Sequence, residues 1–334
     1  MKILYPKHIV QRALPKNLEQ KDLQAFEKEI VREIDECKVL ELKNMYITPQ
    51  GVIWDNSWRN VKEVDIIEGF DWRYKLSCFF KSKKIKLPNN EKYLLAFDAW
   101  SHGYFHWFAD TMTRIGALAD RLHEYILLLP NKLNSFQEKS LSIFNFKAIY
   151  QIPSDSYIYV QYLIVPTYTA LTGNYNEIIV QEIRSLYQTK YNFTNQQPAQ
   201  ERIYISRGKA KRRYVSNEDK LKPILEKYHF KVVYLEDYSF EEQIKLMQST
   251  KYLISIHGAA LTNMLFMSEK SKVMELRKEG DNSNLCYFSL ASTLNIDYYY
   301  QFGTVTNQKI ATYDADIAIN ARLLEQNICF MLEQ

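Results

Sequence analysis

The sequence predicts an α/β protein made of two halves, each a sheet with crossover helices. Three observations carry this. From residue 93 onward, short apolar runs alternate with amphipathic stretches, the pattern of strands joined by crossover helices. Residues 251–276, KYLISIHGAALTNMLFMSEKSKVMEL, read as a full strand–glycine turn–helix–strand unit, its helix over 259–267 carrying Leu261, Leu265 and Phe266 on one face. Finally, residues 192–200, NFTNQQPAQ, are polar and contain Pro198, so they break the alternation as a linker would.

Taken in order, residues 17–37 place Leu18, Leu23, Phe26, Ile30 and Ile34 at roughly helical spacing. They are expected as one amphipathic helix on the outside of the first half. Strands follow at 39–42 and 46–54, the second interrupted by the turn signal Pro49-Gln50-Gly51. The basic stretch up to residue 87, with Lys81, Lys83, Lys84 and Lys86, reads as a solvated loop. Strands are then expected at 93–97, 125–129, 147–152 and 157–165, with helices at 104–122, 135–145 and 176–191.

In the second half, a strand at 202–206 leads into a basic loop at 207–213. A helix reaching Tyr228 should start near Lys222, because Pro223 suits a first turn. A strand covers 230–235. Ser239 and Glu242 form a capping box that opens a helix with Phe240, Ile244 and Met247 inward. After the central unit come a helix near 283–294, a strand near 296–302 and a last helix from Asp314. The domains are accordingly drawn at 1–192 and 200–334, with the last helix free to pack back on the first.

At 334 residues the chain can support two cores of ordinary size. A net charge of +4 argues against a whole-surface binder of nucleic acid. The 25 tyrosines would suit a carbohydrate or nucleotide cleft, but compositional bias explains them better. Cys37, Cys78, Cys286 and Cys329 are far apart with no CxxC pair, which suits a reducing compartment and gives no structural zinc. The opening MKILYPKHIVQRALPKN lacks the apolar core of a signal peptide, and no run of 18 apolar residues occurs. A soluble, cytoplasmic protein is expected.

Three stretches of the second half end strands on one sheet edge: Ser206-Arg207, His257-Gly258 and Glu275. In an open α/β sheet the ligand crevice lies at that edge. Arg207 can grip phosphate with two parallel N–H bonds. Gly258, Ala259 and Ala260 leave the following helix N-terminus open to an anion. Glu275 can accept from ribose hydroxyls; the competing reading has Arg207 and Glu275 pair with each other, or Glu275 with surface lysines. The loop RGKAKRR at 207–213 holds five basic residues in seven. Without interleaved aromatics it reads as a cover over a nucleotide diphosphate, or as a solvated loop, more readily than as a nucleic-acid patch.

In the first half, HGYFHWFADTMTR spaces His102, His106, Asp110 and Arg114 four apart. On a helix the last three form one column. A zinc site from His102, His106 and Asp110 lacks the glutamate of HExxH, and a buried polar cluster is a second alternative. The favoured reading is a general base: Asp110, kept ionised beside Arg114 and oriented by His106, with His106 itself as the other candidate. The triplet Asp314-Ala-Asp316 reads as helix-capping carboxylates.

Several ordered blocks resemble one family: HWFADTMTRI at 106–115, IYISRGKAKRR at 203–213, Asn217-Glu218, SFEEQI at 239–244, HGAALTNMLF at 257–266 and VMEL at 273–276. The chain resembles glycosyltransferase family sixty-one, which includes bacterial capsular-polysaccharide enzymes and eukaryotic protein xylosyl- and N-acetylglucosaminyltransferases. The resemblance implies a GT-B fold, two Rossmann-like domains facing across a cleft with the donor held by the second. It also implies inverting transfer with no obligatory metal and no cofactor. Arg207, His257, Gly258, Asn263 and Glu275 fall on its donor positions, and Ser206, Arg212 and Ala259 are grouped with them. The family motif has glycine where Ala260 stands here, which narrows the space beside the phosphates. The missing signal sequence points to the bacterial branch.

The expected function is therefore transfer of a sugar from a nucleotide-diphosphate donor, a UDP-sugar, to a surface polysaccharide or lipopolysaccharide. The partners are that donor and a glycan or glycolipid acceptor, without nucleic acid; contact with a membrane face is compatible, and oligomeric state is left open. The alternatives are a nucleotide-sugar epimerase on a GT-B-like frame and a non-catalytic nucleic-acid binder.

Overall fold

A computed structural model of the chain describes residues 1–64, 71–193, 198–281, 284–306 and 315–333. The protein is mixed α/β with several sheets. It divides into two compact units, the first comprising residues 1–8, 34–172 and 178–183, the second residues 9–33, 173–177 and 184–334. The boundary thus differs from a single break near 192–200. Residues 9–33 and 184 onward join the second unit because their side chains pack there. Phe26 sets its ring edge-on to Phe288 and Tyr298 and tilted against Tyr300. Tyr187 sets its ring edge-on to Phe240 and Phe266.

Strands run in chain order as β1 (Lys2–Tyr5), β2 (His8–Gln11), β3 (Val31–Ile34), β4 (Cys37–Ile47), β5 (Ile53–Trp54), β6 (Lys83–Lys86), β7 (Tyr93–Leu94), β8 (Ile126–Pro130), β9 (Ala148–Ile152) and β10 (Ser156–Pro166). The sheet of the first unit has the order β1-β4-β10-β7-β8-β9, with β5 on β4 and β6 on β10. Its centre is the antiparallel pair β4–β10, whose register sets Ile158 opposite Ile47 and Val165 opposite Leu40. Those four side chains are buried in one core with Leu95 and Phe97. The turn at Pro49-Gln50-Gly51 is present. Gly51 has φ +80°, and an added Cβ would lie 2.6 Å from the Phe97 carbonyl oxygen, so only glycine fits there.

Two expectations change here. The helix at 17–37 shrinks to Leu23–Ile30, because Val31–Ile34 alternates exposed and buried residues as a strand does. The basic stretch is not a loop: Trp72–Lys81 is a helix and Lys83–Lys86 is a strand parallel to β10. Asp71 caps the helix, its carboxylate accepting from the N–H groups of Arg73 and Tyr74. Among the described residues no helix is long and apolar enough to cross a membrane.

The second unit carries β11 (Glu201–Ile205), β12 (Lys231–Val233), β13 (Thr250–Ile256), β14 (Lys272–Lys278), β15 (Asp297–Val305) and β16 (Ile317–Ala318). Their order is β12-β11-β13-β14-β15-β16; all pairings are parallel except β15–β16. The chain steps outward from β11 to β12 and then returns to the other side of β11 with β13. Strand order reverses between β11 and β13, and a ligand crevice forms at such a point, outside the carboxyl ends of the strands. Helix Glu218–Lys227 starts ahead of Lys222 and keeps Pro223 inside it; burial of Leu221 and Leu225 outweighs the one lost backbone bond. The capping box of Ser239 and Glu242 opens helix Phe240–Ser249 as expected.

Candidate active site

In the first unit the stretch 104–116 is not one regular α-helix. Tyr104–His106 and Met112–Gly116 are α-helical, and Trp107–Thr111 between them is a π-turn, a widened turn that often marks functional positions. His106 Nδ1 and Asp110 Oδ2 are 2.8 Å apart, while Thr172 Oγ1 donates to Asp110 Oδ1 at 3.3 Å. Arg114 does not complete the column. Its Nε donates to the Pro166 carbonyl and its guanidinium lies 4.7 Å above the Tyr168 ring. The wider turn rotates the next residues away from the face that His106 and Asp110 share.

Asp110 is 4% exposed, whereas the His106 side chain is about a third exposed. Burial pushes the Asp110 carboxyl above its ordinary pKa, and the bond and charge of His106 oppose that shift. With Nδ1 protonated and donating to Asp110, Nε2 of His106 is the basic atom. The Trp100 ring stands 5.2 Å from the imidazole. Its backbone is fixed by Asp98, which accepts from the N–H groups of Trp100 and Ser101 and from Tyr168 Oη at 2.5 Å. His102 lies apart from this pair, its Nδ1 at 2.8 Å from the Ala99 carbonyl. Among the described residues no three His, Cys, Asp or Glu side chains gather as a metal site would require.

In the second unit the loops after β11 and β13 bring Arg207 against Gly258: a Cβ at Gly258 would lie 3.0 Å from Arg207 Nη1. Arg207 is held from behind, its Nε donating to the Arg213 carbonyl at 3.0 Å and its Nη2 to that of Arg212 at 3.4 Å. Partial burial, together with the nearby charge of Arg213, lowers its pKa, as expected of a cation set where a negative partner would be welcome. The helix after Gly258 is a fully formed 3-10 helix, Ala259–Phe266, with every residue from Leu261 to Phe266 buried. The expected one-sided amphipathic helix is absent because apolar residues occupy nearly every position.

The other residues expected to hold donor sit deeper. Ser206 is 1% exposed; its hydroxyl donates to Glu218 and accepts from the Gly208 N–H, which shapes the turn carrying Arg207. Asn263 is equally buried, its amide near Gln243. Arg212 is exposed and contributes a carbonyl to Arg207. Glu275 corrects the ribose reading most clearly. It is fully buried, with Oε1 bonded to His257 Nδ1 and Oε2 bonded to Tyr298 Oη at 2.5 Å and Arg277 Nη1 at 3.3 Å. No oxygen is left to face a sugar, and Glu275 pairs with Arg277 rather than Arg207.

His257 is thereby fixed, its Nε2 lying 3.1 Å from Asn284 Nδ2. Sequence reasoning missed Arg277, Tyr298, Asp98 and Trp100. A signal existed for Arg277, which follows Glu275 by two on one strand and so shares its face. Asp314 lies outside the described residues, while Asp316 accepts from the Tyr214 N–H and precedes β16, not a helix.

Arg207 against the Gly258 turn thus lies where the strand order reverses, the place at which ligand crevices form in open α/β sheets. The chain belongs to glycosyltransferase family 61: that family's description, Glycosyltransferase 61, matches residues 104–274, just over half of the chain. The match takes in His106, Asp110, Arg207, His257 and Gly258, and stops one residue before Glu275. The chain is 36% identical over 107 residues to an EGF domain-specific O-linked N-acetylglucosamine transferase of Drosophila melanogaster, covering 30% of this chain and 20% of that protein. Its likeness to the Bos taurus protein of the same name is 24% over 217 residues, 63% of this chain and 38% of the relative. A Xenopus laevis protein O-linked-mannose beta-1,4-N-acetylglucosaminyltransferase 2 is 32% identical over 96 residues, 28% of this chain and 17% of its own. The chain thus spans well under two thirds of the length of these relatives.

Proposed function

We propose that the chain is an inverting glycosyltransferase that moves a sugar from a nucleotide-diphosphate donor, a UDP-sugar, to a glycan acceptor without an obligatory metal. The observation carrying this reading is Arg207 set against Gly258 at the sheet's order reversal. A diphosphate placed there meets a half-buried guanidinium and small residues, and its developing charge is stabilised as it leaves. In the same reading His106 Nε2 takes the acceptor hydroxyl proton, the oxygen attacks the anomeric carbon, and the bond from that carbon to the diphosphate breaks. Asp110 orients the imidazole; its burial supports this role over that of the base itself.

The GT-B arrangement belongs to this proposal, as do a surface-glycan acceptor, the bacterial branch and the cytoplasmic location. The named relatives are transferases of fly, cattle and frog, and N-acetylglucosamine stands in each of their names. A UDP-N-acetylhexosamine is therefore the first donor to try.

Calorimetry with UDP in EDTA tests the donor site. Binding is expected without added metal, and Arg207→Ala should weaken it by about 1.5–3 kcal/mol, the range for a hydrogen bond to a charged group. Binding that requires Mn²⁺ or Mg²⁺, or an Arg207→Ala variant with unchanged affinity, rules the reading out.

A further inference from the structure

Helix Trp72–Lys81 turns its apolar side chains outward. Trp72 is 62% exposed, Phe79 54% and Phe80 75%, with Leu76 between them at 38%. Their spacing, i, i+4, i+7 and i+8, makes one stripe about 100° wide. The opposite side of the helix already has its contacts, Tyr74 and Cys78 packing on Val52, Trp54 and Tyr157. Trp58, 39% exposed, extends the stripe, its ring 5.9 Å from that of Phe79.

The charge along this stretch of the chain is one-sided. Residues 71–86 hold six cations against one carboxylate; Lys75 is buried and donates to the Trp58 carbonyl, which leaves five cations toward solvent. The one acid, Asp71, is engaged in capping the helix. Arg73, Lys81 and Lys86 are exposed; Arg73 lies over the Trp72 ring, while Lys83 is balanced by Asp155 and Lys84 lies over the Tyr46 and Tyr159 rings of the sheet.

We propose that this face is a docking surface for an anionic lipid bilayer. Aromatic side chains with tryptophan at the edge, flanked by lysine and arginine, suit the headgroup boundary: the rings enter the apolar layer and the cations meet lipid phosphates. Charge complementarity decides the occupant. A second copy of the chain would set this positive rim against an identical one. The inference stands apart from the transfer chemistry, since it uses no residue of either candidate centre.

Vesicle flotation tests it, with phosphatidylcholine alone and with about a third phosphatidylglycerol. The chain should float with the anionic vesicles at low salt and leave them as salt rises. Lys81→Ser with Lys86→Ser should weaken binding about thirty-fold, the weight of two cations near an anionic leaflet. Phe79→Ser with Phe80→Ser should abolish it while leaving UDP affinity and the melting temperature unchanged, because both rings are exposed in the free protein. A chain that stays unbound at low salt, or substituted chains that float as well as the parent, overturns the proposal. So does a dimer in solution that Phe79→Ser with Phe80→Ser converts to monomer, which would assign the face to a second copy.

Discussion

Replacing His106 by alanine is expected to lower turnover about 10²–10⁴-fold while UDP binds as before, the loss that follows removal of a general base. The measurement is steady-state transfer beside calorimetry of UDP. A parallel loss of both would mean that His106 supports the fold instead. Asp110→Asn separates the two partners. The carboxyl of Asp110 has a pKa raised above its unfolded value by burial. A group shifted that way makes the folded state less stable at neutral pH and more stable as pH falls through the raised value. Asp110→Asn should therefore keep or raise the melting temperature while turnover drops, because a neutral amide no longer stabilises the imidazolium that forms as His106 takes the proton. If Asp110→Asn turns over normally and melts lower, the His106–Asp110 pair is structural.

How far the sequence reached depended on whether a feature was local. The glycine turn after β13, the capping box at Ser239 and the alternation of the second unit are set by neighbours in the chain, and each was legible. So was the pairing of His106 with Asp110 at i, i+4. The π-turn was not, because nothing in Trp107–Thr111 distinguishes five residues per hydrogen-bonded turn from four. Without it Arg114 was placed on the wrong face. Exposure was the second blind spot. Glu275 at a strand end looks the same in sequence whether it faces ligand or core; the answer came from Arg277 and Tyr298, one of them on a different strand. The helix at Trp72 was hidden for a related reason. Its apolar stripe carries the helical period, but six cations in the same stretch suggest a solvated loop unless the stripe is read separately.

Glu275→Gln is expected to destabilise the second unit by about 3–5 kcal/mol, the cost of leaving a buried charge unpaired. Arg277 is only 1% exposed and Glu275 not at all. Burial alone would raise the Glu275 carboxyl. Arg277, His257 and the bond from Tyr298 outweigh it and hold the pKa below the ordinary 4.5. The sign is thus opposite to that of Asp110. A depressed carboxyl contributes stability that is present in full above the unfolded pKa and is lost as pH falls through the folded value. The gap between parent and variant in urea unfolding should therefore be widest at neutral pH and narrow as pH falls below the ordinary carboxylate range. Replacing both charges, Glu275→Met with Arg277→Met, should restore much of the loss, since a buried pair gives little over apolar residues of similar size. If instead the single variant unfolds like the parent and fails only to bind UDP, Glu275 meets the nucleotide directly. The expected order is the reverse: stability falls first, and donor affinity follows because His257 loses the carboxylate that orients it beside Gly258 and Arg207.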